Sequence, residues 1–190
     1  MIPPEQSAEF VYAMESVLEV YHRRVHPDFP VICIDEMMKQ LVEETVEPLP
    51  ASPGQPERRT AIDYAHLLKD IVDNLFPEAY LITVVQDNLN THHPASLYKA
   101  FPPGEARRIL KRLEFCYTPK HGSWLNMAEI ELSVLSRQCL DQRIPDLDTL
   151  RSEVEAWEKR RNSVSSWIDW RFTTEDARIK LKRLYPLIQD

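Results

Sequence analysis

Three short apolar runs, each delivered into a polar or acidic loop, constrain this chain more than any other feature. Val31-Ile-Cys-Ile34 runs into Asp35-Glu36. Leu81-Ile-Thr-Val-Val85 runs through Gln86 into Asp87-Asn88. Phe115-Cys-Tyr117 runs into a turn containing Pro119 and Gly122. The first two, short, apolar on both faces and rich in β-branched residues, fit strands buried in a parallel sheet, and the third reads as a short strand beside them. Sheets of that kind carry their functional groups beyond the C-terminal ends of the strands, where Asp35 and Asp87 fall.

Helical periodicity fills the intervals. Residues 4–23 predict an amphipathic packing helix, with Pro4 in the first turn and Phe10, Met14, Val17, Leu18 and Tyr21 as its stripe. Its other face carries Glu5, Glu9, Glu15 and Glu19, which would repel phosphate. Five residues between 47 and 56 are Pro or Gly, so this stretch reads as a loop. A helix follows from Thr60, a capping residue, with Ile62, Ala65, Leu68, Ile71, Val72 and Leu75 as its stripe. Pro94 opens a short helix, interrupted at Pro102-Pro103-Gly104. A second helix, Glu105 to about Leu113, carries Arg107, Arg108, Lys111 and Arg112. After the third strand a helix extends to about Leu140. Further helices run from Leu147 to about Arg161 and from Thr174 to about Tyr185. The order predicts an α/β fold with parallel crossovers. The proline breaks divide it into an N-terminal helix (1–27), a core (28–145) and a helical C-terminal extension (146–190) docked by Trp157, Trp170 and Phe172.

Composition excludes several classes. No apolar run is long enough to span a bilayer, and the first residues do not form a signal peptide. Cys33, Cys116 and Cys139 are far apart and odd in number, which fits reduced thiols in a cytoplasmic protein better than disulfides or a zinc site. The net charge of −7 argues against a generic nucleic-acid coat. It is uneven, however: residues 1–100 hold 7 basic against 16 acidic side chains, and residues 101–190 hold 16 against 14. Any surface facing DNA therefore belongs to the second half.

Carboxylates at two strand ends and on one helix suit hard divalent cations, Mg²⁺ or Mn²⁺, and phosphodiester chemistry. Two helical residues compete for the third place. Glu129 and Glu131 lie two apart, roughly 200° around a helix, so they cannot face one centre together. Glu36, beside Asp35, should likewise point elsewhere. A site built on His92, His93 and His121 is disfavoured because adjacent histidines diverge.

Cys33-Ile-Asp-Glu36, Gln86-Asp-Asn-Leu-Asn-Thr-His92 and the stretch from Tyr117 to Glu131 together resemble the DDE transposases of bacterial insertion sequences, in the mariner-like superfamily. The resemblance covers nearly the whole chain. It implies an RNase H-like core and metal-dependent DNA strand cleavage and strand transfer. It also implies Asp35, Asp87 and, through Leu125-Asn-Met-Ala-Glu129, Glu129 as catalytic metal ligands for Mg²⁺ or Mn²⁺. Asn88, His92, Lys120 and His121 are implied as substrate-positioning residues, and DNA at the transposon ends as the partner.

The chain departs from that pattern in three places. The reading expects the sequence to start on the helix just before the core, without the helix-turn-helix region that relatives carry. No run between Leu41 and Thr60 reads as the hairpin of strands 2 and 3, which predicts a shortened, three-stranded sheet with an exposed first edge. Met37-Met38 stands where relatives often carry a lysine and a proline. The expectation is a truncated transposase catalytic domain with impaired activity and a tendency to self-associate. The alternative is a non-enzymatic remnant that pairs with, and inhibits, full-length transposase.

Overall fold

The computed structural model describes residues 6–37, 58–89, 92–164 and 168–187. The fold is α/β. Three parallel strands, β1 (Val31–Cys33), β2 (Ile82–Gln86) and β3 (Leu113–Tyr117), lie in the order β1-β2-β3. The register sets Cys33 beside Val85 and Gln86 beside Tyr117, so the strands finish at nearly one level. Helices α1 (Ala8–Tyr21), α2 (Arg58–Asp70), α3 (Leu97–Ala100), α4 (Pro103–Leu110), α5 (Met127–Gln138), α6 (Leu147–Ser163) and α7 (Thr174–Lys180) complete the described fold. None of the described helices is long and apolar enough to cross a membrane.

The strands alternate faces, and each face has its own core. Ile82 and Val84 of β2 pack with Tyr64, Leu68, Ile71, Leu97 and Ile109 under α2, α3 and α4. Val85 and Cys116 pack on the opposite side with Phe10, Met14, Val17 and Leu18 of α1 and with Ala177 and Leu184 from the C-terminal segment. Met14, Val17 and Leu18 are fully buried, worth about 1.5–3 kcal/mol each. A third cluster joins Leu135 and Cys139 of α5 to Ile144 and Trp157, whose indole donates to Gln138 Oε1 at 3.0 Å. Trp170 lies 5.1 Å from the Tyr21 ring, and Phe172 lies 5.7 Å from Trp124.

Several boundaries and faces differ from the sequence reading. Ser7 caps α1 through the Phe10 N–H; Pro4 lies outside the described residues. Helix α2 begins at Arg58 and passes into a wider π turn, Ile71–Leu75, closed by Phe76 N–H to Ile71 O at 2.9 Å. The extra residue rotates Leu75 off the stripe, leaving it 60% exposed. Ile62 is also exposed, and Ala61 and Tyr64 are buried in its stead. Strand β1 pairs only with β2 among the described residues, and Val31 is 38% exposed rather than buried on both faces. The absent hairpin expected between Leu41 and Thr60 falls largely on residues 41–57, outside the described ones.

Two of the four basic side chains around α4 hold the fold together. The Arg112 guanidinium donates to the carbonyls of Val72, Phe76, Pro77 and Ala79, closing the turn that leads into β2. Arg108 binds Asp73 through two hydrogen bonds of 2.8 Å and also binds Glu105; Lys69 joins the same two carboxylates.

Candidate metal centre at the strand ends

The site begins where β1 and β2 run out. Ile34 N–H donates to Val85 O at 2.9 Å, which holds Asp35 beside the end of β2. Asp35 Oδ1 accepts the Glu36 N–H at 2.9 Å. Burial, with a contribution from the nearby Asp87 charge, holds the Asp35 carboxyl above its ordinary range despite that bond. Two carboxylates brought this near each other at parallel strand ends are an arrangement a cation would relieve.

Beneath Asp87, Gln86 is fully buried and organises the loop. Its Oε1 accepts the Tyr64 hydroxyl at 2.6 Å, and its Nε2 donates to His92 O at 2.7 Å. His92 thereby lies under the Tyr64 ring, 5.0 Å between centroids, and is 2% exposed. Its Nδ1 is 2.6 Å from Asp87 Oδ1 and its Nε2 3.0 Å from Glu36 Oε1. His92 thus links the loops after β1 and β2. It lines neither cleft described below, and its ring is occupied by protein carboxylates.

The third carboxylate comes from α5. The motif turns through Pro119–Gly122, closed by Gly122 N–H to Pro119 O at 2.8 Å. Glycine is needed at 122 for space: a Cβ there would stand 2.5 Å from Pro119 Cγ. His121 takes φ 66°, a left-handed conformation uncommon for a side-chain-bearing residue. A short 3-10 turn, Ser123–Leu125, then leads to Asn126, which caps α5 by accepting the Ala128 N–H at 3.1 Å. Glu129 lies in the first turn of α5 and lines a cleft of about 370 Å³ with Asp35, Glu36, Met37, Ser133 and Arg137. Glu131 turns to α6 and forms a two-point ion pair with Arg161.

Asp87 lines a second cleft, of about 790 Å³, together with Asn88, Tyr117, Lys120, His121, Phe10 and Glu9. Asn88, Lys120 and His121 are exposed on it. The structure therefore places Asp35 with Glu129 in one cleft and Asp87 with three of the four other candidates in another. Among the described residues, no three His, Cys, Asp or Glu side chains lie close enough to hold one metal ion. The three thiols, Cys33, Cys116 and Cys139, are free.

Sequence reasoning set Glu36 aside as pointing away from the centre, and it gave no role to Gln86, Tyr64 or Asn126. For Asn126 a signal was present: an Asn three residues before a Glu at the start of an apolar-patterned helix is an N-cap pattern. For Gln86 and Tyr64 no local signal exists, because their roles follow from burial against each other.

Residues 55–151 match the family described as DDE superfamily endonuclease. No curated protein and no solved structure matches the chain.

Proposed function

Since the chain belongs to the DDE superfamily endonuclease family, we propose that it is the catalytic region of a transposase of the mariner-like, insertion-sequence type, acting on DNA in the cytoplasm. One observation carries the reading. Asp35 and Asp87 stand at the ends of adjacent parallel strands, and Glu129 shares the Asp35 cleft. In donor chemistry they fit Mg²⁺ or Mn²⁺: all are hard carboxylate oxygens, and burial, with a smaller contribution from the Asp87 charge, raises the Asp35 carboxyl.

Asp35, Asp87 and Glu129 would hold the ions. Ions held there supply an activated water or 3′-hydroxyl and stabilise the leaving oxygen of a phosphodiester. The rest falls to the chain. Lys120 and His121, exposed beside Asp87, offer donors to backbone phosphates, which fix the register of DNA without reading its sequence. Asn88, on the same rim, offers an amide to the same strand. The ends of the mobile element are the substrate in this reading, and a second copy or a longer transposase chain is the partner.

A second reading is favoured by one finding: no ready-made three-ligand cluster exists among the described residues. A chain whose acids do not close on metal would have impaired activity, and would act by pairing with an active transposase. Nicking of supercoiled plasmid by the purified chain in Mg²⁺ or Mn²⁺ separates the two. The enzyme reading expects nicked circles that disappear with Asp87→Asn. Equal products from wild type and Asp87→Asn, or none at all, would remove it.

A further inference from the structure

We propose that Asn126 is a positioning residue that sets the separation of the Asp35 and Glu129 carboxylates. The proposal rests on the reading of those two as metal ligands. The Asn126 side chain spans two elements far apart in sequence. Its Nδ2 donates to the carbonyl of Ile34, the residue before Asp35, at 2.9 Å. Its Oδ1 accepts Ala128 N–H, the residue before Glu129, at 3.1 Å. The side chain is 1% exposed, so water does not compete for either bond. Both of its polar atoms are committed, one to each strand of the link.

The surrounding bonds show why Glu129 remains available. A Glu three residues after a helix cap commonly folds back onto the cap's own N–H. Here the Asn126 N–H is taken by Ser123 O at 2.7 Å. The Met127 N–H is taken by the Tyr21 hydroxyl at 3.3 Å, and that hydroxyl donates to Leu125 O at 2.7 Å. The free N–H groups at the start of α5 are thus satisfied without Glu129, whose carboxylate stands in the Asp35 cleft. Asn126 fixes that helix start to the end of β1. A merely stabilising cap would need only its oxygen; the nitrogen bond to Ile34 is the part that serves the site.

Asn126→Ser separates the two bonds. Serine caps a helix about as well as asparagine but carries no donor that spans to Ile34. Three measurements test the proposal on the full chain: Mn²⁺ affinity by titration calorimetry, metal-free thermal unfolding, and metal-free spin-pair broadening between labels at Met37 and Ser133. Asp146→Ala, which removes the α6 cap and lines neither cleft, serves as a stability control. Asn126→Ser should weaken Mn²⁺ binding by about tenfold or more, as loss of a ligand's supporting contact does. That loss should vanish in a Glu129→Gln background. The metal-free spin-pair distances should broaden in Asn126→Ser and stay narrow in Asp146→Ala. Unchanged Mn²⁺ affinity, or an effect fully additive with Glu129→Gln, overturns the proposal. If the wild-type chain binds no Mn²⁺, the metal reading fails, and the spin-pair distances alone decide: equal widths in wild type and Asn126→Ser overturn the brace.

Discussion

Glu129 and Glu131 differ by two positions and have different surroundings. Glu131 is held by Arg161 on α6, whereas Glu129 faces the cleft that holds Asp35. The two substitutions should therefore separate cleanly. Glu129→Gln should reduce metal-dependent nicking by more than about 100-fold, since even a supporting residue of a metal site costs 10–100-fold. Glu131→Gln should leave nicking within about threefold and lower the melting temperature by breaking the α5–α6 ion pair. Plasmid nicking and thermal unfolding on both variants check this, and the reverse pattern would move the third role to Glu131. At this scale the sequence was informative about residue type and placement. Asp35 and Asp87 at strand ends, and the opposed directions of the two glutamates, follow from strand and helix periodicity. Burial was not legible: the resemblance implied a substrate-positioning role for His92, and only the fold shows its ring buried under Tyr64 between two acids.

The elements show how tertiary demands override a helical pattern. Arg108 and Arg112 read as part of a basic helix face, yet each is committed to the π turn after α2 or to the chain that follows it. Replacing Arg112 by Met removes donors from the carbonyls of Val72, Phe76 and Ala79. It should destabilise the protein by about 1–3 kcal/mol, the cost of leaving partly buried acceptors unpaired. Arg112→Lys should recover only part of this, because one ammonium cannot reach carbonyls spread around a planar fork. Urea unfolding midpoints measure both. Asp73, gripped by Arg108 and Lys69, has its carboxyl lowered from 3.8 to about 2. A carboxyl depressed on folding stabilises above its unfolded value and loses that contribution as pH falls through its folded value. Asp73→Asn should therefore lower the melting temperature by about 2–4 °C near neutral pH, a modest effect for a partly exposed network. The gap between variant and wild type should close between about pH 4 and pH 2. A gap that is constant with pH would mean the loss is packing rather than charge. The strands and the crossover helices were readable from apolar runs. The π turn and the exposed Leu75 were not, because one inserted residue leaves the composition of the stripe unchanged.

At the scale of the whole molecule, the last described segment belongs to the sheet's packing. The break at Pro145 and the aromatics Trp157, Trp170 and Phe172 predicted a docked extension from Asp146, and the face on which its last described segment docks is specific. Leu184 and Ala177 are fully buried against α1 and the β2–β3 face, and Ser7 N–H donates to Leu184 O at 3.1 Å. Arg178 holds Glu15 of α1 through two bonds of 2.9 Å, and the Tyr185 hydroxyl donates to the same carboxylate at 2.7 Å. One face of the sheet is thus closed by the two ends of the described chain together, which no local pattern in either end reveals. A chain ending at Ser163 would uncover Phe10, Met14 and Val85. Burying each such side chain is worth about 1.5–3 kcal/mol, against a total stability of about 5–15 kcal/mol for an ordinary domain. That variant should bind 8-anilinonaphthalene sulfonate, elute as aggregates in gel filtration and lose a cooperative thermal transition. The milder Leu184→Ala should fold and lose about 2–4 kcal/mol in urea unfolding, the cost of a cavity in a closed core. A Ser163-terminated chain that melts cooperatively as a monomer would show that α1 covers the sheet unaided, and would make the C-terminal segment an appendage of the core rather than part of it.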